Sequence, residues 1–311
     1  PPPASAMLRS LVGSEMCIRD RYSIIMAGDG GMEYAMCTFI DGVGHPTLYS
    51  LYSVTSHEIA HTWFQFLMAT NESKHSWMDE GFTSYIDDVA LNVVLKQGKS
   101  LPNAGAYKDY FKWVATGLEE PMTTHADRFK YNTGYGMTAY DKGSIFLSQL
   151  QYVIGKENFD NTLKRYFNDW SFKHPKPNDF IRSAEKVSGL ELDWYLLDWA
   201  QSTMTIDYSI NSIYGVDNKT RVVLKRIGQM GMPIDLRVEL LNGEILDYNI
   251  PMTKMRGSKP VSSSTILKSW SWAKPYYELY IDIDSKSISK ITIDPKNEMA
   301  DINRNNNYLV L

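Results

Sequence analysis

Two histidines set four residues apart place the strongest constraint on how this chain can fold. His57 and His61 enclose a glutamate, Glu58, in a segment that reads HEIAH. Residues four apart lie on the same face of an α-helix, so both imidazoles can reach one point only if the segment is helical. Apolar residues at helical spacing predict a helix within Tyr49–Met68 that begins near Ser50 or Ser53 and contains this segment.

A carboxylate follows the two histidines at a spacing typical of a metal site, because eighteen residues separate His61 from Glu80. Glu80 opens a second predicted helix, over Asp79–Leu95, and an antiparallel return of that helix would bring its carboxylate beside the imidazoles. Histidines in HExxH spacing with a third carboxylate ligand are typical of a hydrolytic zinc site with an open position for water. The pattern predicts one zinc ion, Zn²⁺, held by His57, His61 and Glu80. Glu58 is the predicted general base that activates the water.

A carboxylate further along the second helix is a candidate for orienting one imidazole. A metal-bound histidine usually donates its other ring N–H to a carboxylate or a carbonyl group. Asp87 lies seven residues after Glu80, two turns along the same predicted helix. We therefore predict that Asp87 accepts a hydrogen bond from one of the two histidines, with Asp88 as the alternative.

Four segments in a fixed order resemble the M1 family of zinc aminopeptidases, which are gluzincins. The first two are the HExxH segment and, eighteen residues later, Glu80 inside WMDEGF at 77–82. Upstream, GGMEY at 30–34 is similar to the GxMEN segment of the family, and downstream YDKG at 140–143 is similar to its YxKG segment. The resemblance covers residues 22–205 well and the rest more loosely, and it is nearest to bacterial members that read GGMEY.

The resemblance implies roles for residues outside the metal site. Glu33 is expected to bind the free α-ammonium of a peptide substrate, which admits chain ends and counts off one residue. The backbone of Gly30 and Gly31 is expected to pair with the peptide as an added strand, and Met32 to wall the pocket for the first residue. Tyr140 is expected to donate a hydrogen bond to the oxyanion formed during hydrolysis.

Two positions depart from the family pattern. Tyr34 stands where the GxMEN segment has asparagine, and Asp79 stands where an asparagine usually precedes the third metal ligand. Neither residue is a predicted metal ligand or the predicted general base. We therefore expect these departures to change the substrate pocket rather than the chemistry.

The predicted fold is α+β, with helices first and strands last. The resemblance implies that residues 22–204 form a thermolysin-like, mostly helical zinc metallopeptidase catalytic domain. Residues 205–311 alternate apolar and polar positions, which predicts a smaller β-sandwich-like domain or small open barrel of about seven strands. Asn242-Gly243 predicts a hairpin turn between strands over Ile234–Leu240 and Ile245–Ile250.

The first 21 residues differ from the rest of the chain. They have neither helical nor strand periodicity and resemble translated sequencing adapter, so we expect a non-native or disordered leader. The resemblance also implies a β domain that precedes the catalytic domain and helps to wall the site. We expect this 311-residue chain to bind zinc, to be impaired as an enzyme, and to expose an apolar patch where that domain docks.

Composition excludes several other classes of function. The 32 basic and 36 acidic residues give a net charge of −4, which offers no electrostatic support for nucleic-acid binding. No apolar run approaches the roughly 20 residues of a transmembrane helix. Cys17 and Cys37 are the only cysteines, so neither a disulfide framework nor a cysteine-rich zinc module is expected. The expected partner is a peptide with a free N-terminus, and the pattern predicts no oligomeric state or compartment.

Other functions are compatible with the same residues. The zinc site could serve a related hydrolase, either an endopeptidase or an epoxide hydrolase, although Glu33 favours an exopeptidase. The chain could also be a non-catalytic peptide-binding module, or an inactive fragment, that keeps the fold. The presence of Glu58 and Tyr140 argues against this last interpretation.

Overall fold

The computed structural model describes residues 22–28, 30–41 and 43–311. The predicted leader, residues 1–21, lies outside the described residues. Helices dominate the chain as far as Ala200, and strands dominate from Tyr208 onward. The fold is therefore α+β, with its two kinds of structure separated along the sequence as the residue pattern predicts.

A small sheet precedes the first helix. Its strands are β1 (Ser23–Met26), β2 (Gly31–Tyr34) and β3 (Cys37–Ile40), in the order β1-β3-β2. β1 runs parallel to β3, and β2 runs antiparallel to it. This order places β2, which contains Glu33, at one edge of the sheet.

The first helix, α1, spans Leu48–Ala60 and contains His57. It begins at Leu48, before the predicted start near Ser50 or Ser53, because Thr47 and Ser50 form a capping box, in which the Thr47 hydroxyl accepts the Ser50 N–H at 3.0 Å. The predicted single helix also divides. A π-helical turn over Thr62–Leu67 follows α1, since wider hydrogen-bonded turns replace the α-helical ones there.

Two other π-helical turns contain candidate site residues. We name Trp77–Gly81 the ligand turn, because it contains Glu80, and Met137–Lys142 the tyrosine turn, because it contains Tyr140. The ligand turn replaces the first turn of the second predicted helix. The remaining helices are α2 (Phe82–Val94), α3 (Ala104–Ala115), α4 (Asn132–Gly136), α5 (Gly143–Ile154), α6 (Lys156–Trp170), α7 (Pro177–Ser188) and α8 (Asp193–Ala200).

Helix α5 forms the centre of the helical half. Its residues are buried along almost the whole length, and it packs against α2, α3, α6 and the ligand turn. A helix that is surrounded on all sides carries apolar residues around its whole circumference. The end of α5 shows this, because three consecutive residues, Tyr152, Val153 and Ile154, are all buried. Among the described residues, no helix combines the length and apolar character needed to cross a bilayer.

The second half contains eight described strands in two sheets, where the sequence predicted about seven. The predicted hairpin is present, with Ile234 opposite Ile250. The sheets have the orders β11-β10-β6-β7-β8 and β4-β5-β9. The strands are β4 (Tyr208–Val216), β5 (Lys219–Arg226), β6 (Ile234–Leu240), β7 (Ile245–Ile250), β8 (Thr265–Ile266), β9 (Tyr276–Ile281), β10 (Ile288–Ile293) and β11 (Tyr308–Val310).

Buried polar contacts join the two halves. The Tyr107 hydroxyl and the Gln149 amide both donate to the carbonyl of Glu298, at 2.9 and 2.7 Å. Gln149 Oε1 accepts the N–H of Ala300 at 3.0 Å. The apolar core is also continuous from the helices into the sheets. We propose that the domain boundary lies between residues 204 and 205, with the two domains sharing this core.

Candidate metal centre

Three side chains from two elements bring potential metal ligands together. His57 lies near the end of α1, His61 follows that helix directly, and Glu80 lies in the ligand turn. The Nε2 atoms of His57 and His61 lie 3.2 Å apart. Glu80 Oε2 lies 3.2 Å from the first of these nitrogens and 3.3 Å from the second. The three predicted ligands thus form a nearly equilateral triangle of metal-binding atoms.

The size of this triangle fits a tetrahedral ion. With ligand bonds of about 2.0–2.1 Å, as zinc makes to imidazole and carboxylate, corners 3.2–3.3 Å apart would subtend about 105° at the ion, close to the tetrahedral angle. When the two neutral rings are protonated on Nδ1, the facing Nε2 atoms both present lone pairs and need a common partner. A cation shared by His57, His61 and Glu80 supplies that partner, and this mixture of ligands suits zinc.

Charge around the triangle favours a cation. Burial alone would raise the pKa of the Glu80 carboxyl, but hydrogen bonds from His57 and His61 outweigh it and lower the pKa to about 2. Burial also disfavours a positive charge on His61, yet the hydrogen bonds and charges of Asp79 and Glu80 prevail and raise the pKa of His61. The buried carboxylates therefore attract positive charge strongly to this position.

Asp79 orients the second histidine. Its Oδ1 lies 2.6 Å from His61 Nδ1, and both side chains are almost fully buried, at 4% and 1% exposed. The Thr83 hydroxyl is the other neighbour of this nitrogen, at 3.3 Å. When Nδ1–H donates to Asp79, the Nε2 lone pair is left for a metal. The sequence analysis treated Asp79 only as a departure from the family pattern. Its position beside Glu80 was the signal that could have identified it.

Asp87, the predicted partner of an imidazole, makes different contacts. Its Oδ2 accepts a hydrogen bond from Ser53 at 2.8 Å, and its Oδ1 accepts one from Ser56. Both serines lie on α1, so Asp87 joins α2 to α1 instead of contacting a histidine. The expectation fails because two turns along α2 carry Asp87 past the histidines, to a level nearer the start of α1. Asp79 occupies the position that the sequence analysis assigned to Asp87.

Glu58 lies beside the triangle with an unusual environment for a carboxylate. Its side chain is buried, and within the described residues its Oε2 has no hydrogen-bond partner. Burial, with further contributions from Glu33 and Glu80, raises the pKa of Glu58 to about 7 despite the opposing effect of the two histidines. A carboxyl group with this pKa can both take and return a proton near neutral pH.

Gly31 explains how β2 approaches so close to Glu58. A Cβ on Gly31 would lie 2.6 Å from Val54 Cγ2 and 2.8 Å from Glu58 Cδ, well inside ordinary van der Waals contact. Gly30 has a left-handed φ of +93°, which favours glycine for a different reason. The two predicted glycines therefore allow an edge strand to lie directly against the predicted general base.

Edge strand β2 also brings Glu33 to the site. One carboxylate oxygen of Glu33 lies within 4.8 Å of a ring nitrogen of His61 and a carboxylate oxygen of Asp79. Met32 is 47% exposed. Tyr34 packs on Phe39, with ring centroids 5.0 Å apart. The strand thus presents the Glu33 carboxylate near His61 and Asp79, whereas Met32 points to the opposite, exposed face of the strand.

Tyr140 reaches the same place from the tyrosine turn. Its hydroxyl donates to Glu80 Oε1 at 2.7 Å, and its ring stacks on His57 with centroids 5.8 Å apart. Burial and the negative charge of Glu80 raise the pKa of Tyr140, so the hydroxyl keeps its proton. Tyr135 contacts the Tyr140 ring edge-on at 6.3 Å. Tyr140 is therefore a fixed hydrogen-bond donor beside the triangle.

Comparison with known proteins agrees with this geometry. Residues 45–199 match the Peptidase family M1 domain. Human aminopeptidase B is 29% identical over 188 residues, which make up 54% of this chain and 29% of that protein. Leucine aminopeptidase 2 of Neurospora crassa is 27% identical over 195 residues, which make up 55% of this chain and 27% of that protein.

A solved structure extends the likeness to the fold. The aminopeptidase A of Legionella pneumophila, solved in complex with aspartic acid, aligns with 90% of this chain and 31% of its own, with a TM-score of 0.55 and 15% identity. The chain therefore spans less than a third of the length of these relatives. The matched range contains His57, Glu58, His61, Glu80 and Tyr140, and the chain belongs to peptidase family M1, a family of zinc metallopeptidases.

Proposed function

We propose that this chain contains the catalytic part of a zinc-dependent aminopeptidase, on a thermolysin-like helical framework, that releases single residues from the N-termini of peptides. The observation that carries the proposal is the position of Glu33. Its carboxylate lies on an edge strand, within 4.8 Å of a ring nitrogen of His61. A fixed negative charge there attracts the ammonium group of a chain end and places the first peptide bond at the metal site.

One zinc ion is the proposed cofactor, held by His57, His61 and Glu80. When bound, it supplies a Lewis acid that polarises a carbonyl and lowers the pKa of water to about 7. Asp79 keeps His61 in the tautomer that such an ion needs, because it accepts the Nδ1 proton. These contacts leave Glu58 outside the ligand set and free to act on water.

The substrate lies along β2 in this proposal. The outer edge of that strand offers backbone groups that can pair with an extended peptide. Glu33 binds the α-ammonium group, since it lies on the same face of β2 as Gly31, which contacts Glu58. Gly31 keeps the strand close to Glu58, so the first carbonyl group reaches the general base.

Proton transfer and oxyanion stabilisation are assigned to one residue each. Glu58 takes a proton from the attacking water and later gives it to the departing amine, which its raised pKa supports. Tyr140 exchanges its hydrogen bond to Glu80 Oε1 for one to the oxyanion that develops on the substrate carbonyl. The named relatives, aminopeptidase B and leucine aminopeptidase 2, support an exopeptidase over an endopeptidase or an epoxide hydrolase.

The experiment that tests this proposal compares free and N-acetylated aminoacyl substrates with the zinc-loaded chain. We expect cleavage of the free forms only, loss of cleavage with a chelator, and recovery after zinc is added back. Glu58→Gln is the matched control, since it keeps the metal ligands. Equal cleavage of both forms would remove the role of Glu33 and indicate an endopeptidase. No cleavage of any substrate by a zinc-loaded chain would indicate a peptide-binding module or an inactive fragment.

A further inference from the structure

Two glycines bring the ligand turn and the tyrosine turn into direct contact. Gly81 ends the ligand turn, and Gly143 follows the tyrosine turn at the start of α5. Both are buried, and their backbones touch. A Cβ added to Gly81 would lie 2.6 Å from Gly143 Cα, and a Cβ added to Gly143 would lie 2.7 Å from Gly81 Cα. Neither position has room for a methyl group.

The requirement for glycine is steric rather than conformational. Gly81 has a φ of −71° and Gly143 a φ of −62°, which are ordinary right-handed helical values open to any residue. Two non-bonded carbon atoms need about 3.5 Å, so alanine at either position would force the two turns apart by roughly 1 Å. Glycine at both positions therefore sets the distance between the turns.

The tyrosine turn cannot move freely to relieve such a clash. Lys142, its last residue, is 1% exposed and pairs with the buried carboxylate of Glu119 at 2.5 Å. The same ammonium group donates to the carbonyl of Ser202 at 3.2 Å. Removing one partner of a buried ion pair is strongly destabilising, so this pair holds the tyrosine turn in place. An added methyl group at either glycine would therefore widen the contact between the two turns.

We infer that the contact between Gly81 and Gly143 is the positioning device that sets Tyr140 against Glu80. Gly81 is the next residue after Glu80, and Gly143 follows Tyr140 by three residues. Tyr140 and Glu80 are 60 residues apart in sequence. The hydrogen bond between the Tyr140 hydroxyl and Glu80 Oε1, at 2.7 Å, can form because the backbones of the two turns meet. The expected effect of this contact on kcat rests on the proposed function, whereas its expected effect on zinc binding by His57, His61 and Glu80 does not.

The first test measures metal binding. Gly81→Ala and Gly143→Ala are compared with Gly136→Ala, a matched control in which the added Cβ meets nothing within 4 Å. Zinc affinity is measured by chelator competition, and the visible spectrum of the cobalt(II)-loaded chain reports the ligand geometry. We expect each contact variant to weaken zinc binding about tenfold and to change the cobalt spectrum. Gly136→Ala should match the unmodified chain in both.

The second test separates positioning from general damage. A misplacement of about 1 Å can reduce the rate about a hundredfold, so we expect Gly143→Ala to lower kcat by that factor with little change in KM. In a Tyr140→Phe background the same substitution should lower kcat far less, because the hydroxyl that it misplaces is already absent. General damage to the fold would lower kcat by the same factor in both backgrounds.

The outcomes distinguish this inference from the proposed function. Unchanged zinc affinity and cobalt spectrum in both contact variants would overturn the inference, as would equal effects of Gly136→Ala. Weaker zinc binding in the contact variants, with no hydrolysis by any form of the chain, would support the positioning role and contradict the proposed function. Variants of low stability are measured in trimethylamine N-oxide, which favours the compact state.

Discussion

The helical half and the strand half both bury acidic side chains, but they surround them differently. In the strand half, Asp301 accepts the N–H groups of Tyr208 and Asn303 and the amide of Asn307, at 2.9 Å each. Asp294 likewise accepts two backbone N–H groups. Both carboxylates accept hydrogen bonds from nearby backbone and side-chain groups. They therefore stabilise loops and strands and have few lone pairs left for a ligand.

One buried acid beside the metal triangle is supplied less completely. Glu58 Oε2 has no hydrogen-bond partner within the described residues, whereas Glu80 next to it contacts Tyr140 and both imidazoles. Buried polar groups are normally satisfied, so groups that are not satisfied need an explanation. The strand half thus uses Asp294 and Asp301 to hold the fold, whereas the helical half contains both structural acids, such as Asp87, and one acid, Glu58, with an oxygen left unpaired within the described residues.

Removing the general base should break the function of the helical half without harming its fold. We expect Glu58→Gln to lower kcat about a thousandfold or more, because general-base catalysis contributes about 10² to 10⁴. Zinc content should stay the same. Stability at pH 8 should be equal or higher, since burial raises the pKa of Glu58 and its charged form is disfavoured there. Steady-state kinetics, zinc analysis and thermal unfolding check these three results, and loss of zinc from the variant would contradict the assignment of Glu58.

Removing the metal should affect only one of the two halves. An ion that binds only the folded state at a thousand times its dissociation constant adds about 4 kcal/mol to the free energy of unfolding. We expect a chelator to remove that stabilisation and to reduce hydrogen-exchange protection in α1, the ligand turn and α2. Protection of β6 and β10 is the internal control and should change little. A uniform loss across both halves would mean that the ion does not act at the proposed triangle.

Asp301→Ala should give the opposite result. It leaves the N–H of Tyr208 and the amide of Asn307 without their acceptor in a buried region, which costs about 1–3 kcal/mol for each unsatisfied group. We expect the free energy of unfolding to fall by about 3 kcal/mol, measured by urea denaturation, with unchanged zinc affinity. Asp282→Ala, a change at a carboxylate 82% exposed, is the matched control and should leave both quantities unaltered. Weaker zinc binding by Asp301→Ala would show that the halves are not separate in function.

The smallest expected effect distinguishes two aspartates within the helical half. Asp79→Asn keeps a hydrogen-bond acceptor for His61 but removes the negative charge, so zinc affinity should fall about tenfold. Asp87→Asn should leave zinc affinity unchanged, because Asp87 contacts serines and no histidine. Chelator competition with the two variants side by side decides the matter, and a larger effect at Asp87 would restore the role that the sequence suggested for it.

The sequence predicts that His57, His61 and Glu80 come together, as the structure has them, because their geometry follows largely from one helical period. His57 and His61 need only the four-residue spacing, and Glu80 needs only a helix that returns beside the first. The start of α1 was predicted less accurately, since Thr47 caps it with a serine at the position where a capping box has glutamate or glutamine.

Contacts between elements could not be read from the sequence. The helical period gives the face on which Asp87 lies but not the level of the neighbouring helix that it meets, so Asp79 was missed. The contact of Gly81 with Gly143 depends on two π-helical turns, which have no simple residue signature. Asn307 lies in a polar run near the end of the sequence, yet it is 6% exposed and donates to the carbonyl of Tyr208, because the final strand folds back onto β10.

The measurement that tests the central claim most directly is a zinc titration of the metal-free chain and of His61→Ala, Glu80→Gln and Asp294→Asn. The claim is that one ion binds where the two histidines and the glutamate meet. It predicts one zinc per chain, strong loss of affinity in the first two variants, and unchanged affinity in the third, whose carboxylate belongs to the strand half. Two or more ions at equal affinity, or binding that survives loss of His61 and Glu80, would contradict it.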